Sequence, residues 1–327
     1  MKNSVIKSTL RLLRPKGLSL LRVDPERAFA HAHALKSRAW ALSNGSIWII
    51  LPIVLFFLFS YASTQDKQDE SRDAEFYNNQ GVLYRDKGQY DQAISDFNKA
   101  LEINPRYAYA YNNRGMAYRD KGQYDQAISD YNKALEINPR YAYAYNNRGI
   151  AYGDKGQYDQ AISDYNKALE INPRFAYAYY NRGNAYYYKG QYDQAISDYN
   201  KALEVNPRYA EAYNNRGNAY YYKGQYDQAI SDYNKALEIN PRYAYAYNHR
   251  GMVCGDKGQY DQAISDFNKA LEVNPRYAEA YNNRGRAYYL KGEYGKSWED
   301  IKKAQDLGYK IPPKFLDDLR KASGKQN

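Results

Sequence analysis

From residue 74 onward, apolar and polar positions follow a helical period rather than the alternation of a strand. In Ala108–Lys121 the residues Tyr111, Gly115 and Tyr118 recur at i, i+4 and i+7, which sets them along one helix face. A second stripe follows in Ala127, Ile128, Tyr131, Ala134 and Leu135. Between the two, Lys121-Gly122-Gln123 supplies the break, because glycine closes a helix at positive φ without a steric penalty. Asp125 is placed to cap the second helix. Pro139 ends it, since proline lacks an N–H and clashes with the preceding turn. The spacing predicts a helix–turn–helix unit from Ala108 to Tyr141.

That unit recurs. Pro105, Pro139, Pro173, Pro207, Pro241 and Pro275 stand 34 residues apart, and Gly81, Gly115, Gly149, Gly183, Gly217, Gly251 and Gly285 keep the same step. There are therefore seven units, beginning at Ala74, Ala108, Ala142, Ala176, Ala210, Ala244 and Ala278. Each leaves an apolar flank that only a neighbour can cover, so the units must stack and a lone copy should not fold. Within a unit, Gly115 is expected to face Ala127 and Ala134 while the tyrosines fill the space around them. The repetition also explains why 41 of the 53 aromatic residues are tyrosine.

A 34-residue helix pair with an aromatic at position 4, Gly at 8, Tyr at 11, Ala at 20, an aromatic at 24, Ala at 27 and Pro at 32 resembles the tetratricopeptide repeat. The resemblance implies an all-α chain, a right-handed α-solenoid of seven repeats over residues 74–311. Cys254 replaces the position-11 tyrosine of the sixth unit and reads as a small buried residue. The last unit carries Ser297, Ile301 and Tyr309 where Ala, an aromatic and Pro are expected, as terminal units often do. Pro312-Pro313 then opens Lys314–Ala322, apolar on one side through Phe315, Leu316 and Leu319. Residues 312–327 are read as a capping helix and tail.

Charge changes the picture only at the N-terminus. Lys and Arg number 47 against 37 Asp and Glu, and residues 1–63 hold nine of the former and two of the latter. A basic segment, 1–39, thus precedes an uncharged stretch from Ala39 to Gln65 whose inner part, Ile47–Tyr61, is nearly all apolar. Those residues alone reach about 22 Å as a helix, short of a hydrocarbon core of about 30 Å, but with Trp40-Ala41-Leu42 the segment spans. Residues 40–62 are accordingly read as a transmembrane helix kinked at Pro52, with Trp48 and Tyr61 at the interfaces. Residues 63–73 form a linker. The basic flank places the N-terminus in the cytoplasm and the repeats on the far side, periplasmic in a bacterium. Ser60 and Ala62 also suit a signal-peptidase site, and residues 1–38 have the composition of a transit peptide. A secreted or organelle-imported soluble adaptor is the alternative.

Candidate chemistry is sparse. One cysteine and three histidines exclude a disulfide scaffold and a thiolate metal cluster. No phosphate-binding loop appears. The chain reads as non-catalytic, without cofactor or metal. Nucleic acid is not expected either, because the repeats carry little net charge and no basic stripe. Asp125, Asp130 and Glu136 read as cap and surface residues, Asp130 pairing with Lys133 on the exposed face. His249, asparagine in every other unit, reads as a variant.

The resemblance further implies that the first helices line an inner groove with positions 2, 5, 6, 9, 12 and 13. The candidate peptide-binding groove is therefore Asn113, Asn147, Asn181, Asn215 and Asn283 with Tyr109, Tyr143, Tyr177, Tyr187, Tyr221 and Tyr245. Primary amides at a regular rise match the backbone of an extended peptide segment of a partner protein, and the rings offer apolar faces to its side chains. On that reading, changing Asn147, Asn181 and Asn215 to alanine weakens capture and leaves melting nearly unchanged. The competing reading is a hydrated, inert surface, since seven near-identical copies count as little more than one observation. The family's carboxylate clamp needs Lys and Arg members. Position 5 is here Asn146, Tyr180 or Asn214, so only the amides, Asn184 and Asn218 included, match it.

Overall fold

The computed structural model describes residues 72–324, which form fifteen α-helices and no strand. They are α1 (72–86), α2 (Tyr90–Ile103), α3 (Ala108–Asp120), α4 (Tyr124–Ile137), α5 (Ala142–Asp154), α6 (Tyr158–Ile171), α7 (Ala176–Tyr188), α8 (Tyr192–Val205), α9 (Ala210–Tyr222), α10 (Tyr226–Ile239), α11 (Ala244–Asp256), α12 (Tyr260–Val273), α13 (Ala278–Leu290), α14 (Tyr294–Asp306) and α15 (Pro313–Ser323). Odd and even members pair into the seven units. The basic segment 1–39, the predicted span 40–62 and most of the linker lie outside the described residues. Among those described, no helix is long and apolar enough to cross a membrane.

Within a unit the helices meet through a ring against a glycine. A Cβ added to Gly115 would stand 2.7 Å from the Tyr131 ring, so this position admits no side chain. The expected contact of Gly115 with Ala127 and Ala134 is corrected: the glycine makes room for the aromatic itself. Gly122 takes φ +76°, which closes α3 as expected. The cap of α4 differs from expectation. Its N-cap is Gln123 with no side-chain cap bond, and Asp125 lies inside the first turn. Asp125 instead accepts from Lys155 of the next unit, as Asp227 does from Lys257 at 2.7 Å.

Between units, alanine makes the close approach. Ala110 and Ala117 are wholly buried and pack on the preceding unit, Ala110 on Ala100 and Leu101, Ala117 on Ala93 and Phe97. In the first unit the same two positions hold Phe76 and Leu83, each 61% exposed.

A polar clamp adds to this. Arg114 donates from Nε and Nη2 to both carboxylate oxygens of Asp130, at 2.7 and 2.6 Å, and from Nη1 to Asn98 of the preceding unit at 2.6 Å. Its guanidinium lies over the Tyr111 ring, 5.4 Å from the centroid. Arg148, Arg182, Arg216, Arg250 and Arg284 repeat the arrangement. Asp130 is therefore buried and clamped, not exposed, and Lys133 turns to Glu136. The expected i, i+3 pair survives only in the first unit, where position 7 is Gln80 and Asp96 takes Lys99.

First helices of successive units touch one another along the array, whereas the second helices do so far less. The first-helix face is thus the inner side of the stack. At the far end α15 buries Leu319 against Ile301, Ala304 and Ile311, with Phe315 and Leu316 beside it, as its apolar side predicts.

Candidate functional site

The amides of the predicted groove turn first toward their own neighbours. Asn113 Nδ2 donates to Asn78 Oδ1 at 2.9 Å, Asn147 to Asn112 at 3.0 Å, Asn181 to Asn146 at 3.0 Å and Asn283 to Asn248 at 3.1 Å. Outside the sixth unit, where Asn248 turns to Met252, each position-5 amide in turn donates to position 6 of its own unit, as Asn112 does to Asn113 and Asn146 to Asn147. The result is a zipper running from unit to unit. Asn147 is only 8% exposed, and Asn113, Asn181, Asn215 and Asn283 are half-buried. From the second unit on, every position-6 amide donates at least one N–H to the preceding unit, so substitution by alanine must lower melting. The expectation of unchanged melting is corrected, because net bonds of about 0.5–1.5 kcal/mol are lost at each junction.

The zipper is interrupted at the fourth unit, where position 5 is Tyr180. There Asn215 Nδ2 reaches the Tyr180 hydroxyl at 3.0 Å and Asn184 Oδ1 at 2.9 Å. In the sixth unit His249 takes the asparagine's place. Its Nδ1 lies 3.0 Å from Asn214 Oδ1, and because the Asn214 amide nitrogen already donates to Asn215, the histidine is the donor. Its Nε2 is then an acceptor. Burial lowers the His249 pKa to about 4, so the ring is neutral near pH 7.

The predicted tyrosines divide into two groups. Tyr109, Tyr143, Tyr177 and Tyr245, at the N-terminal ends of the first helices, are 54–60% exposed. Each packs against position 34 of its own unit, edge to face for Tyr109 with Tyr141 at 5.0 Å, Tyr177 with Tyr209 at 5.5 Å and Tyr245 with Tyr277 at 5.2 Å, and tilted for Tyr143 with Phe175 at 4.7 Å. Glu211 and Glu279 interrupt this row.

Tyr187 and Tyr221, at position 12, lie elsewhere. They belong to a cleft of about 110 Å³ that spans the fourth to seventh units and is also lined by Asn218, Tyr222, Tyr233, His249, Met252 and Glu279. Tyr233 donates to Asn218 Oδ1 at 2.8 Å, and Tyr221 to Asp256 Oδ2 at 2.7 Å. Tyr222 stacks on Tyr192, centroids 5.5 Å apart. Sequence reasoning missed Tyr222, Asn218 and Glu279 as partners of this cleft and set His249 aside. The available signal was that these residues depart from the repeated unit close together.

The comparisons with known proteins address this geometry. Tetratricopeptide repeat models match residues 74–107, 142–175 and 210–243, and further models of the same repeat match 115–156, 183–221, 253–292 and 278–307, so that with 97–129, 164–197 and 232–265 the coverage runs unbroken from 74 to 307. The chain belongs to the tetratricopeptide repeat family. A tetratricopeptide repeat protein of Parabacteroides merdae shares 25% identity, with 78% of this chain and 100% of that one covered and a TM-score of 0.59. PilF of Pseudomonas aeruginosa is 21% identical over 63% of this chain and 94% of that one, with a TM-score of 0.57, a likeness of fold. No curated protein matches the chain. In this tetratricopeptide array Cys254 is buried beside Ala263 and Phe267, and burial pushes its thiol pKa up, as suits a packing residue.

Proposed function

We propose that the chain is a non-catalytic scaffold whose inner face holds an extended segment of another protein. The observation that carries this is the exposed row Tyr109, Tyr143 and Tyr177. Three consecutive large rings stand more than half open to solvent at the pitch of the units while the amides beside them are engaged. Rings of this kind give apolar faces with a polar tip at low entropic cost, which suits side chains of a bound strand better than a hydrated surface requires. A second N–H on Asn113, Asn181 and Asn283 adds main-chain recognition.

The same reading includes attachment to a membrane through residues 40–62, with the N-terminus cytoplasmic and the repeats across the bilayer, on the strength of the apolar run and its basic flank. Release by cleavage after Ala62 is the second reading, favoured by the small residues Ser60 and Ala62. Affinity capture with the full chain, compared with a variant carrying Tyr109→Ser, Tyr143→Ser and Tyr177→Ser, tests the scaffold. Partners retained by the parent should be lost by the variant at equal helicity. Retention at parental strength refutes the inner-face reading. For topology, a fused alkaline phosphatase after Asp73 should be active, and its inactivity beside an active cytoplasmic reporter at the same place reverses the orientation.

A further inference from the structure

We infer that the cleft across the fourth to seventh units is a socket for one cationic side chain, an arginine or lysine of the bound segment. The inference rests on the inner-face reading above and adds what is chosen there. Three observations converge. Glu279 is half-buried, lines the cleft, and makes no hydrogen bond or ion pair with another described residue. Two more walls are tyrosine rings at right angles: Tyr187 and Tyr222 lie 5.8 Å apart at 70°, Tyr221 and Tyr222 5.2 Å apart at 74°. A cation over such faces is attracted by the ring quadrupole, and the attraction grows as the site is desolvated. His249 also lines the cleft, and because its Nδ1 proton goes to Asn214, its Nε2 is unprotonated and an acceptor for an N–H.

The charges around the cleft agree. Asp256 accepts the Tyr221 hydroxyl proton in a hydrogen bond, which makes that ring more electron-rich. The nearby arginines are engaged elsewhere: Arg250 is held by Asp266 and Asn234, and Arg286 lies over Phe315 at 5.4 Å. No Lys or Arg is among the residues that line the cleft, and its one charged side chain is the anionic Glu279, which repels an anion. Earlier units lack the construction. Positions 12 and 13 are Arg119 and Asp120 in the second unit and Gly153 and Asp154 in the third, where the fourth and fifth have paired tyrosines.

The test uses the full chain and fluorescent nonapeptides of alanine and serine with one central residue, either arginine or its neutral isostere citrulline. The arginine peptide should bind about tenfold tighter than the citrulline peptide in low salt, a preference reduced by raised ionic strength. Glu279→Gln should bring that preference below about twofold, and Tyr222→Leu, a change at an exposed ring, should reduce it too. Glu211→Gln, at the equivalent place in the fifth unit, should leave it unchanged. Equal binding of the two peptides overturns the socket while leaving the inner-face reading intact. Failure of both peptides to bind overturns both. An undiminished preference in Glu279→Gln also overturns the assignment, because the cation is then recognised elsewhere.

Discussion

Position 24 of the units offers a matched pair of substitutions with opposite signs. The hydroxyl of Tyr131 is buried and has no hydrogen-bond partner, because position 9 of its unit is Met116. In the fourth and fifth units the same hydroxyl belongs to Tyr199 and Tyr233 and donates to Asn184 and Asn218, at 2.7 and 2.8 Å. The first and sixth units avoid the problem with Phe97 and Phe267 beside Val82 and Met252. A buried hydroxyl left unpaired costs about 1–3 kcal/mol by protein mutational data. Tyr131→Phe should therefore stabilise its unit by about 1 kcal/mol, part of the gain being lost to the small void. Tyr233→Phe should destabilise by about 1–2 kcal/mol, from a lost net bond and an orphaned Asn218 oxygen. Met116→Asn should help the parent and harm Tyr131→Phe, a coupling of about 1 kcal/mol or more in a double-mutant cycle. Repeat arrays do not unfold as one cooperative block, so amide hydrogen exchange read separately in α4 and α10 is the assay. Equal signs for Tyr131→Phe and Tyr233→Phe refute the reasoning.

Other outcomes follow from the same geometry. The folded His249 has a pKa near 4 against about 6.5 in an unfolded chain, so the unfolded state takes up the proton first and stability falls as pH drops from about 6.5 to 4. The loss is at most about 3 kcal/mol, and His249→Asn should abolish it in urea midpoints compared at pH 7.5 and 4.5. Burial pushes the Asp130 carboxyl up even beside Arg114, a sign that desolvation outweighs the pairing. Asp130→Ala alone should then cost about 3–5 kcal/mol in urea unfolding, and the double change Asp130→Leu with Arg114→Met far less. Deleting residues 142–175, one whole unit, should keep the helicity of the remaining units, since Asn112 and Asn132 would meet Asn181 and Arg182 as Asn146 and Asn166 do now. Collapse of the downstream units on circular dichroism would show that the units are not interchangeable.

The step of 34 residues made the helix pairs, the turn glycines and the capping helix legible, because each rests on local chemistry that recurs. The polar contacts were not legible in the same way. Asp130 and Lys133 stand at helical spacing, and nothing local says that Arg114, 16 residues upstream, outcompetes the lysine. The Asp125–Lys155 pair and the asparagine zipper connect residues 30 and 35 apart, across units, so their partners emerge only from the angle at which one unit stacks on the next. Gly115 misled for a related reason: its size announces a close approach without naming what approaches.

Copying explains where function is concentrated. Residues identical in nearly every unit, such as the arginine clamp and the junction alanines, are spent on holding units together, so their repetition carries no information about a ligand. Information about a ligand lies where a unit departs from its neighbours. Tyr187, Tyr188, Tyr221 and Tyr222 replace the Arg, Gly and Asp of positions 12 and 13 seen in units two, three and six, and Tyr188 and Tyr222 are 66% and 57% exposed. Glu279 interrupts the tyrosine row and lines the cleft. These changes fall on different helices, yet they meet at one place. A stack of near-identical units thereby acquires a differentiated position along its inner face, which on the proposed reading sets the register of a bound segment.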